Sequence, residues 1–402
     1  MALRDGPDDA ILYGAWRRFC EQLSAAGEFA FKDLNPQAPV YRVDALRFLT
    51  QNLGQAFDLA LETRDTRYPA LHTLCNPTRK LGGDCADFLY QQAWIDGRSR
   101  YRITGDRGTA RFLTITVQGA RPEGPGVLHE PFGDLPESAL SGADIETQPD
   151  GSFEIHIGGD PRPRNWLPTT SDSRKIFVRQ GFDRWDERPS RMRIERIDMA
   201  SPKPLPDVAT MVEAIEWAGG FVTGLMSDWP EYAFRYGGVD AGRPNEFPHI
   251  EADDADALRG RSAVNMHWVL KPDEALVIEF PAHDGLWMLT NMGVFFNSMD
   301  YLYRPVSYTP SRTEVDRDGI VRLVLAHDDP GVHNWIDTQG FERGNLTYRH
   351  MLEGTPVLPR TRVVTRARLD AALPPDTARV TSAQRSAQLL ERFTGVRSRY
   401  EI

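Results

Sequence analysis

The spacing of apolar residues predicts helices at the start of the chain. Between residues 8 and 27, and again between 43 and 62, apolar side chains recur every three or four positions. This period is typical of amphipathic helices that bury one face. Asp8 and Asp9 are placed to cap the first helix, and Gly27 is placed to end it.

The period changes to two from about residue 88, which predicts short strands bounded by Gly, Asp or Pro. This first run of strands ends at 191–198. The proline-rich segment 200–206 and a helix over 207–229 follow it. Strands resume near residue 263, and a last helix is expected over 381–393. Short strands at this spacing are typical of β-sandwiches of the jelly-roll kind.

Each strand-rich region contains one version of the same segment. "DGSFEIHIGGDPRPRNWLPT" occupies 150–169, and "DGIVRLVLAHDDPGVHNWIDT" occupies 318–338. With one inserted residue, seven identities align: Asp150, Gly151, Asp160, Pro161, Asn165, Trp166 and Thr169 with Asp318, Gly319, Asp329, Pro330, Asn334, Trp335 and Thr338. The repeat distance is far too long for a solenoid, so two related sandwiches are expected.

The repeated segment has a structural interpretation. Asp-Gly makes a turn, and the following residues alternate as one strand. Proline then ends the ladder, because it has no N–H to donate. Asn is expected to hold the next loop through bonds to the backbone, and Trp to cover the edge of the sandwich. This interpretation accounts for all of the first copy.

The sequence therefore predicts an α+β protein that is mainly β, with two related jelly-roll-like sandwiches and helical N-terminal and linker segments. The expected division is a helical segment over 1–80, a first sandwich over 81–200, a linker and helix over 201–260, a second sandwich over 261–375 and a C-terminal helix over 376–402.

Composition narrows the function classes. The chain has 402 residues and a formal net charge of -10, which disfavours nucleic-acid binding because phosphates need clustered Lys and Arg. No run of 18 apolar residues and no signal peptide is visible, so no membrane span is expected. The three cysteines show no CxxC spacing, which indicates a reducing, cytoplasmic setting. A homo-oligomer is compatible with these features.

Three segments are distinctive: "KLGGDCADFLYQQAWIDGRSRYRITGDRGTARFLTITVQG", "NWLP" and "VRQGFDRWDERPSRMRIERID". They resemble a known bacterial family, the domain-of-unknown-function family 1214. The resemblance covers roughly 80–200 and extends into 298–340. It implies jelly-roll-type sandwiches and a bacterial origin, without an established reaction or cofactor. Where relatives tend to have an amide, this chain has Cys85.

The two copies differ in their ionisable groups. The second copy adds His327, Asp328, His333 and Asp337 to a loop whose structural role requires none of them. A copy that gains acid, base and imidazole groups is the better candidate for a site. The expected catalytic residues are Asp329, His333, His327, Asp328 and Asp284.

Neighbouring strands mix large apolar side chains with a few polar ones, as small-molecule pockets do. The expected substrate-binding residues are Asn291, Asp300, Tyr301, Arg304, Asn334, Trp335, His267 and His283. For any one of them, a place in a packed core is the more common role. Metal binding by the four histidines within 267–333 is the alternative. It is not the expected interpretation, because no HxH or HxxxH pair occurs and metal centres need three placed ligands.

Two hypotheses follow for function. The first is a cofactor-independent enzyme, a hydrolase or lyase in kind, that acts on an apolar terpenoid, steroid or aromatic molecule. It would catalyse hydrolysis, hydration, elimination or isomerisation by acid–base chemistry. The second is a non-catalytic jelly-roll module that binds a carbohydrate or another small ligand. Nucleotide and dinucleotide motifs are absent, so no cofactor is expected.

Overall fold

A computed structural model describes residues 6–32, 35–120, 134–199, 201–236, 243–248, 258–351 and 357–402. The helices in these ranges are α1 (Pro7–Glu28), α2 (Pro39–Phe57), α3 (Val208–Tyr236), α4 (Leu369–Ala372) and α5 (Ser382–Tyr400). The described strands that precede α3 are β1 (His72–Thr73), β2 (Phe88–Trp94), β3 (Tyr101–Asp106), β4 (Phe112–Gly119), β5 (Leu135–Ser141), β6 (Ser152–Ile157), β7 (Trp166–Leu167), β8 (Ser173–Gly181) and β9 (Arg191–Arg196). Those that follow α3 are β10 (Arg261–Val269), β11 (Glu274–Pro281), β12 (Trp287–Met292), β13 (Ser307–Tyr308), β14 (Ile320–Ala326), β15 (Trp335–Asp337), β16 (Arg343–Met351) and β17 (Arg360–Thr365).

The predicted helices are present with shifted ends. α1 begins at Pro7 after Gly6, and the carboxylate of Asp9 accepts the backbone N–H of Gly6 at 3.1 Å. It passes Gly27 and continues into a 3-10 turn, Phe29–Phe31. α5 is longer than predicted, because Thr381 caps its start and the helix extends to Tyr400.

The four sheets confirm the duplication. Their strand orders are β1-β2-β8-β4-β5 and β7-β6-β3-β9 in the first half, and β10-β16-β12-β13 and β15-β14-β11-β17 in the second half. Strands β2 to β9 of the first half correspond, one by one, to β10 to β17 of the second half. Within this set, corresponding strands have corresponding neighbours in their sheets. The fold is therefore α+β with two related sandwiches, as predicted. The domain boundaries given above remain predictions.

The repeated segment forms the same set of side-chain hydrogen bonds to the backbone in both sandwiches. We call this set, made by one Asn and the following Trp, the latch. Asn165 donates to the carbonyls of Glu146 and Glu154, each at 2.9 Å, and its amide oxygen accepts the N–H of Glu146. The Trp166 indole then donates to the Gly158 carbonyl at 3.1 Å. These bonds confirm the structural interpretation of the first copy.

The second copy repeats every one of these bonds. Asn334 donates to the carbonyls of Glu314 and Arg322 at 2.7 and 2.8 Å, and it accepts the N–H of Glu314. The Trp335 indole donates to the Ala326 carbonyl at 3.1 Å. Asn334 and Trp335 therefore have the structural role of their first-copy counterparts.

Helix α3 covers both sandwiches. Trp217 of α3 meets Trp94 of β2 at a ring-centroid distance of 6.2 Å. Nearly five turns later, Phe234 meets His267 of β10 at 5.1 Å. Trp94 and His267 occupy equivalent positions, since they pair with Lys175 and Asn345 on the equivalent strands β8 and β16.

The first half also reaches α5. Residue Trp185, in the loop between β8 and β9, lies against Gly395 of α5. A Cβ added at Gly395 would come within 2.5 Å of the Trp185 Cβ, so only glycine permits this approach. This contact fixes α5 across the end of the second sandwich.

Candidate functional site

A cavity of about 180 Å³ lies between α5 and the repeated loop of the second sandwich. Its walls come from the loop after β8, the segment around β13, the loop between β14 and β15, and α5. Its lining residues include Trp185, Tyr308, Arg312, Glu314, His333, Arg385, Glu391 and Arg392. Most of them are polar or charged.

The basic wall comes from a stripe on α5. Arg385, Arg392 and Arg399 are seven residues apart and are 6%, 6% and 3% exposed. A seven-residue step nearly completes two helical turns, so the three side chains share one face. They approach aromatic rings, with Arg392 and Arg399 about equally distant from the Trp185 ring, at 5.2 and 5.0 Å.

Arg385 ties α5 to the loop. Its Nε lies 2.9 Å from Asp329 Oδ2, and its Nη2 lies 3.2 Å from Asp329 Oδ1. Its Nη1 donates to the His333 carbonyl at 3.2 Å. Asp329 also accepts the N–H of Gly331 at 2.9 Å. Asp329, a predicted catalytic carboxylate, is therefore held as the ion-pair partner of a helix arginine.

His333 is half-buried in the cavity wall, and its tautomer follows from its neighbour. Its Nδ1 lies 3.0 Å from Oδ1 of Asn334. The Asn334 amide nitrogen already donates to two carbonyls, so the orientation of the amide is fixed and Oδ1 is an acceptor. His333 Nδ1 must therefore carry the hydrogen. Among the described residues, His333 Nε2 has no hydrogen-bond partner, and it remains available for a ligand.

Other predicted residues of the loop lie outside the cavity. His327 contacts Thr338 Oγ1 through Nδ1 at 3.0 Å, and Asp328 is exposed. Asp337 pairs with Arg304 at 3.0 Å. Burial raises the pKa of Asp337, and the negative charge of Asp328 adds to that effect.

A second group of predicted residues belongs to the packed interior. Asn291 is fully buried, accepts the Trp268 indole N–H at 2.9 Å and donates to the Asp337 carbonyl at 3.0 Å. Tyr301 is also fully buried and lies under Lys80, whose Nζ is 3.2 Å from the ring centroid. Asp300 caps the following turn by accepting the N–H of Leu302 at 2.9 Å.

The remaining predicted residues do not line the cavity. His267 packs on α3, and burial lowers its pKa to about 4. His283 Nε2 lies 3.3 Å from the Tyr348 hydroxyl, and burial lowers the pKa of His283. Asp284 is exposed and its backbone carbonyl accepts a bond from Arg111 at 2.7 Å. The structure thus places His333 in the cavity wall, with Asn334 bonded to its ring and Asp329 paired with the lining residue Arg385. The other predicted residues do not line the cavity.

No group of three or more His, Cys, Asp or Glu side chains in the described ranges has the arrangement of a metal site. The cavity itself offers guanidinium groups, which repel cations and attract anions. Its chemistry is therefore that of an anion or polar-ligand site with one imidazole.

The sequence-based reasoning missed Arg312, Arg385, Arg392 and Trp185. Arg385 and Arg392 had a visible signal, because the seven-residue spacing within a predicted helix places both on one face. Arg312 and Trp185 had none, since each reaches the cavity through tertiary packing alone. Trp185 belongs to the first half of the chain, so the site needs both halves.

Comparisons with known proteins agree with the fold. The family described as "Protein of unknown function (DUF1214)" matches residues 90–180. The crystal structure of an uncharacterised protein from Burkholderia cenocepacia is 31% identical, with a TM-score of 0.80, and the alignment covers 90% of this chain and 99% of that one. No curated protein matches the chain.

A structure from Vibrio parahaemolyticus is 12% identical over 86% of this chain and 100% of that one, with a TM-score of 0.41. At that level of similarity it carries no argument about the site. No described helix combines the length and apolarity that a bilayer crossing requires.

Proposed function

The protein belongs to the DUF1214 family of proteins of unknown function, and from this premise we propose a function based on the cavity under α5. It binds a small polar molecule there, and His333 transfers a proton to or from that molecule. The reaction is a hydrolysis, hydration, elimination or isomerisation in a cytoplasmic setting. The observation that carries the proposal is the His333 ring, which is held by Asn334 and lines the cavity.

The cavity limits the size of the ligand. A volume of about 180 Å³ is close to that of a cavity that accommodates benzene and below the range of drug-sized pockets. A molecule of roughly six to ten non-hydrogen atoms fits such a volume. The polar lining favours a polar ligand over the apolar terpenoid, steroid or aromatic molecule that the sequence led us to expect.

The geometry around His333 supports the proposed proton transfer. Asn334 accepts from Nδ1 in both protonation states of the ring, so the ring keeps its orientation while Nε2 gains or loses a proton. Arg385 anchors the His333 carbonyl to α5 and limits movement of the loop. Asp329 contributes indirectly, since it positions Arg385 rather than touching the cavity ligand.

The test replaces His333 by Asn, whose amide can donate to Asn334 as Nδ1 does but lacks a basic nitrogen. A panel of small polar compounds is incubated with the protein in D₂O, and deuterium uptake and product are followed by NMR. We expect turnover to fall by about 10²–10⁴-fold in His333→Asn, with the melting temperature nearly unchanged. His156→Asn, in the first sandwich, is the matched control.

Unchanged turnover in His333→Asn would refute the proton-transfer role. Binding to the cavity without deuterium uptake or product in the wild type would instead support the non-catalytic binding module.

A further inference from the structure

The arginines around the cavity differ in their counter-ions. Arg385 pairs with Asp329 at 2.9 Å, and Arg312 pairs with Asp87 at 2.5 Å. Arg399 shares Asp87 at 3.7 Å. Arg392 lies between Arg385 and Arg399 on α5. It forms no ion pair with a carboxylate of the described ranges. It donates only to Ser307, to the carbonyl at 2.7 Å and to Oγ at 3.3 Å.

This lack of a counter-ion is costly at a buried position. Arg392 is 6% exposed, and burial together with Arg312 lowers its pKa to about 10. The guanidinium therefore remains charged near neutrality. An ion without a counter-charge is strongly disfavoured in a protein interior, so buried charges are normally paired.

The excess positive charge is a property of the whole group. Three largely buried guanidiniums, Arg312, Arg392 and Arg399, face two buried carboxylates, Asp87 and Glu187. Arg385 is matched separately by Asp329, an exposed residue. Glu314 and Glu391 also line the cavity, but both residues are exposed and can turn toward solvent. The buried part of the site thus needs an anion to be neutral.

We infer that the ligand of this cavity carries a carboxylate, which Arg392 binds as its counter-ion beside His333. This inference rests on the proposed function and names its substrate class, a small organic acid of one carboxylate. A planar carboxylate matches the two parallel N–H bonds that a guanidinium offers. The rest of the molecule lies over Trp185, whose ring already forms one wall.

The experiment measures binding of acetate and benzoate to the full-length protein by calorimetry, with acetamide and benzamide as neutral analogues of the same shape. We expect the carboxylates to bind roughly ten- to a hundredfold more tightly than the amides. Chloride and inorganic phosphate are tested alone and as competitors. Tight binding of chloride or phosphate, with no binding of either carboxylate, would overturn the organic-acid class.

Variants at two arginines of α5 test whether Arg392 causes the tighter binding of the carboxylates. Arg392→Met keeps the apolar stem and removes the charge, and Arg397→Met makes the same change in net charge on the exposed face of α5. We expect benzoate binding to be lost in the first and unchanged in the second. Arg392→Lys keeps the charge without the planar fork, and intermediate affinity is expected even if Arg392→Met does not fold.

Equal losses in Arg392→Met and Arg397→Met would refute a role for Arg392. The outcome also separates the two proposals. If benzamide binds as well as benzoate and His333→Asn still abolishes turnover, the carboxylate inference fails while the proposed function stands. If none of the four compounds binds and no panel member is turned over, both fail.

Discussion

The two copies of the repeated loop share a latch and differ in what lies outside it. Asn165 and Asn334 make the same bonds, yet Asn165 has a φ of 47° and Asn334 is outside that left-handed region. The second loop is one residue longer and places Gly331 at a φ of 74°. The latch therefore tolerates a change of backbone as long as the amide reaches the same three groups.

The difference lies at the residue before the latch. Arg164 forms an ion pair with Glu146 at the surface of the first sandwich. The equivalent residues of the second sandwich, His333 and Glu314, both line the cavity. α5 covers only this second loop. A surface ion pair in one copy thus corresponds to a candidate site in the other. Helix α5, which covers the second loop, accounts for this difference.

The largest expected effect comes from removing the latches. Asn334→Ala deletes three hydrogen bonds at a position that is 6% exposed, and we expect a loss of about 3–4 kcal/mol in the free energy of unfolding. Asn165→Ala deletes the same bonds at a half-buried position and should cost less. Urea denaturation of both variants measures the difference. A larger loss in Asn165→Ala would show that burial does not set the cost.

A second comparison concerns the twin positions Trp94 and His267. The pKa of His267 in the folded state is about 4, below its unfolded value near 6.5, so the unfolded chain binds the proton first. Stability is complete above pH 6.5 and falls as the pH drops toward 4, by roughly 3 kcal/mol from this residue.

The test is denaturation of His267→Gln and wild type from pH 8 to pH 4. We expect the wild type to lose more stability than the variant over the acid part of this range. Parallel curves for wild type and His267→Gln would contradict the assigned cause.

The smallest effect is expected at the aspartates of the two loops. Asp329 is 35% exposed on its side chain and pairs with Arg385, so Asp329→Asn should cost about 1 kcal/mol. Asp160, its twin, is exposed, and Asp160→Asn should change the unfolding free energy by less than about 0.5 kcal/mol. Equal costs would mean that the α5 contact adds no stability.

The sequence allowed the duplication, the sandwiches and the latch to be predicted, because each depends on local patterns such as period-two alternation and the Asn-Trp pair. Residues 301–309, in the middle of the second strand-rich region, are mostly turn, and only Ser307–Tyr308 pairs as a strand. The polar segment of β5 and the largely exposed β17 were not predicted, since edge strands carry a weak alternation.

The candidate site was predicted only in part. His333 and Asp329 stand out because they differ from the first copy. The cavity, however, depends on α5 crossing the loop and on Gly395 admitting Trp185. This crossing depends on packing between residues more than 200 positions apart in sequence. Local sequence patterns do not predict such contacts.

Helix α3 has a consequence for dissection of the protein. Its apolar side chains are shared between Trp94 of one sandwich and His267 of the other. A gene cut on either side of this helix would leave one fragment with an uncovered sheet and the other with an uncovered helix face. Both fragments would be prone to aggregate, and mixing them should restore a soluble heterodimer.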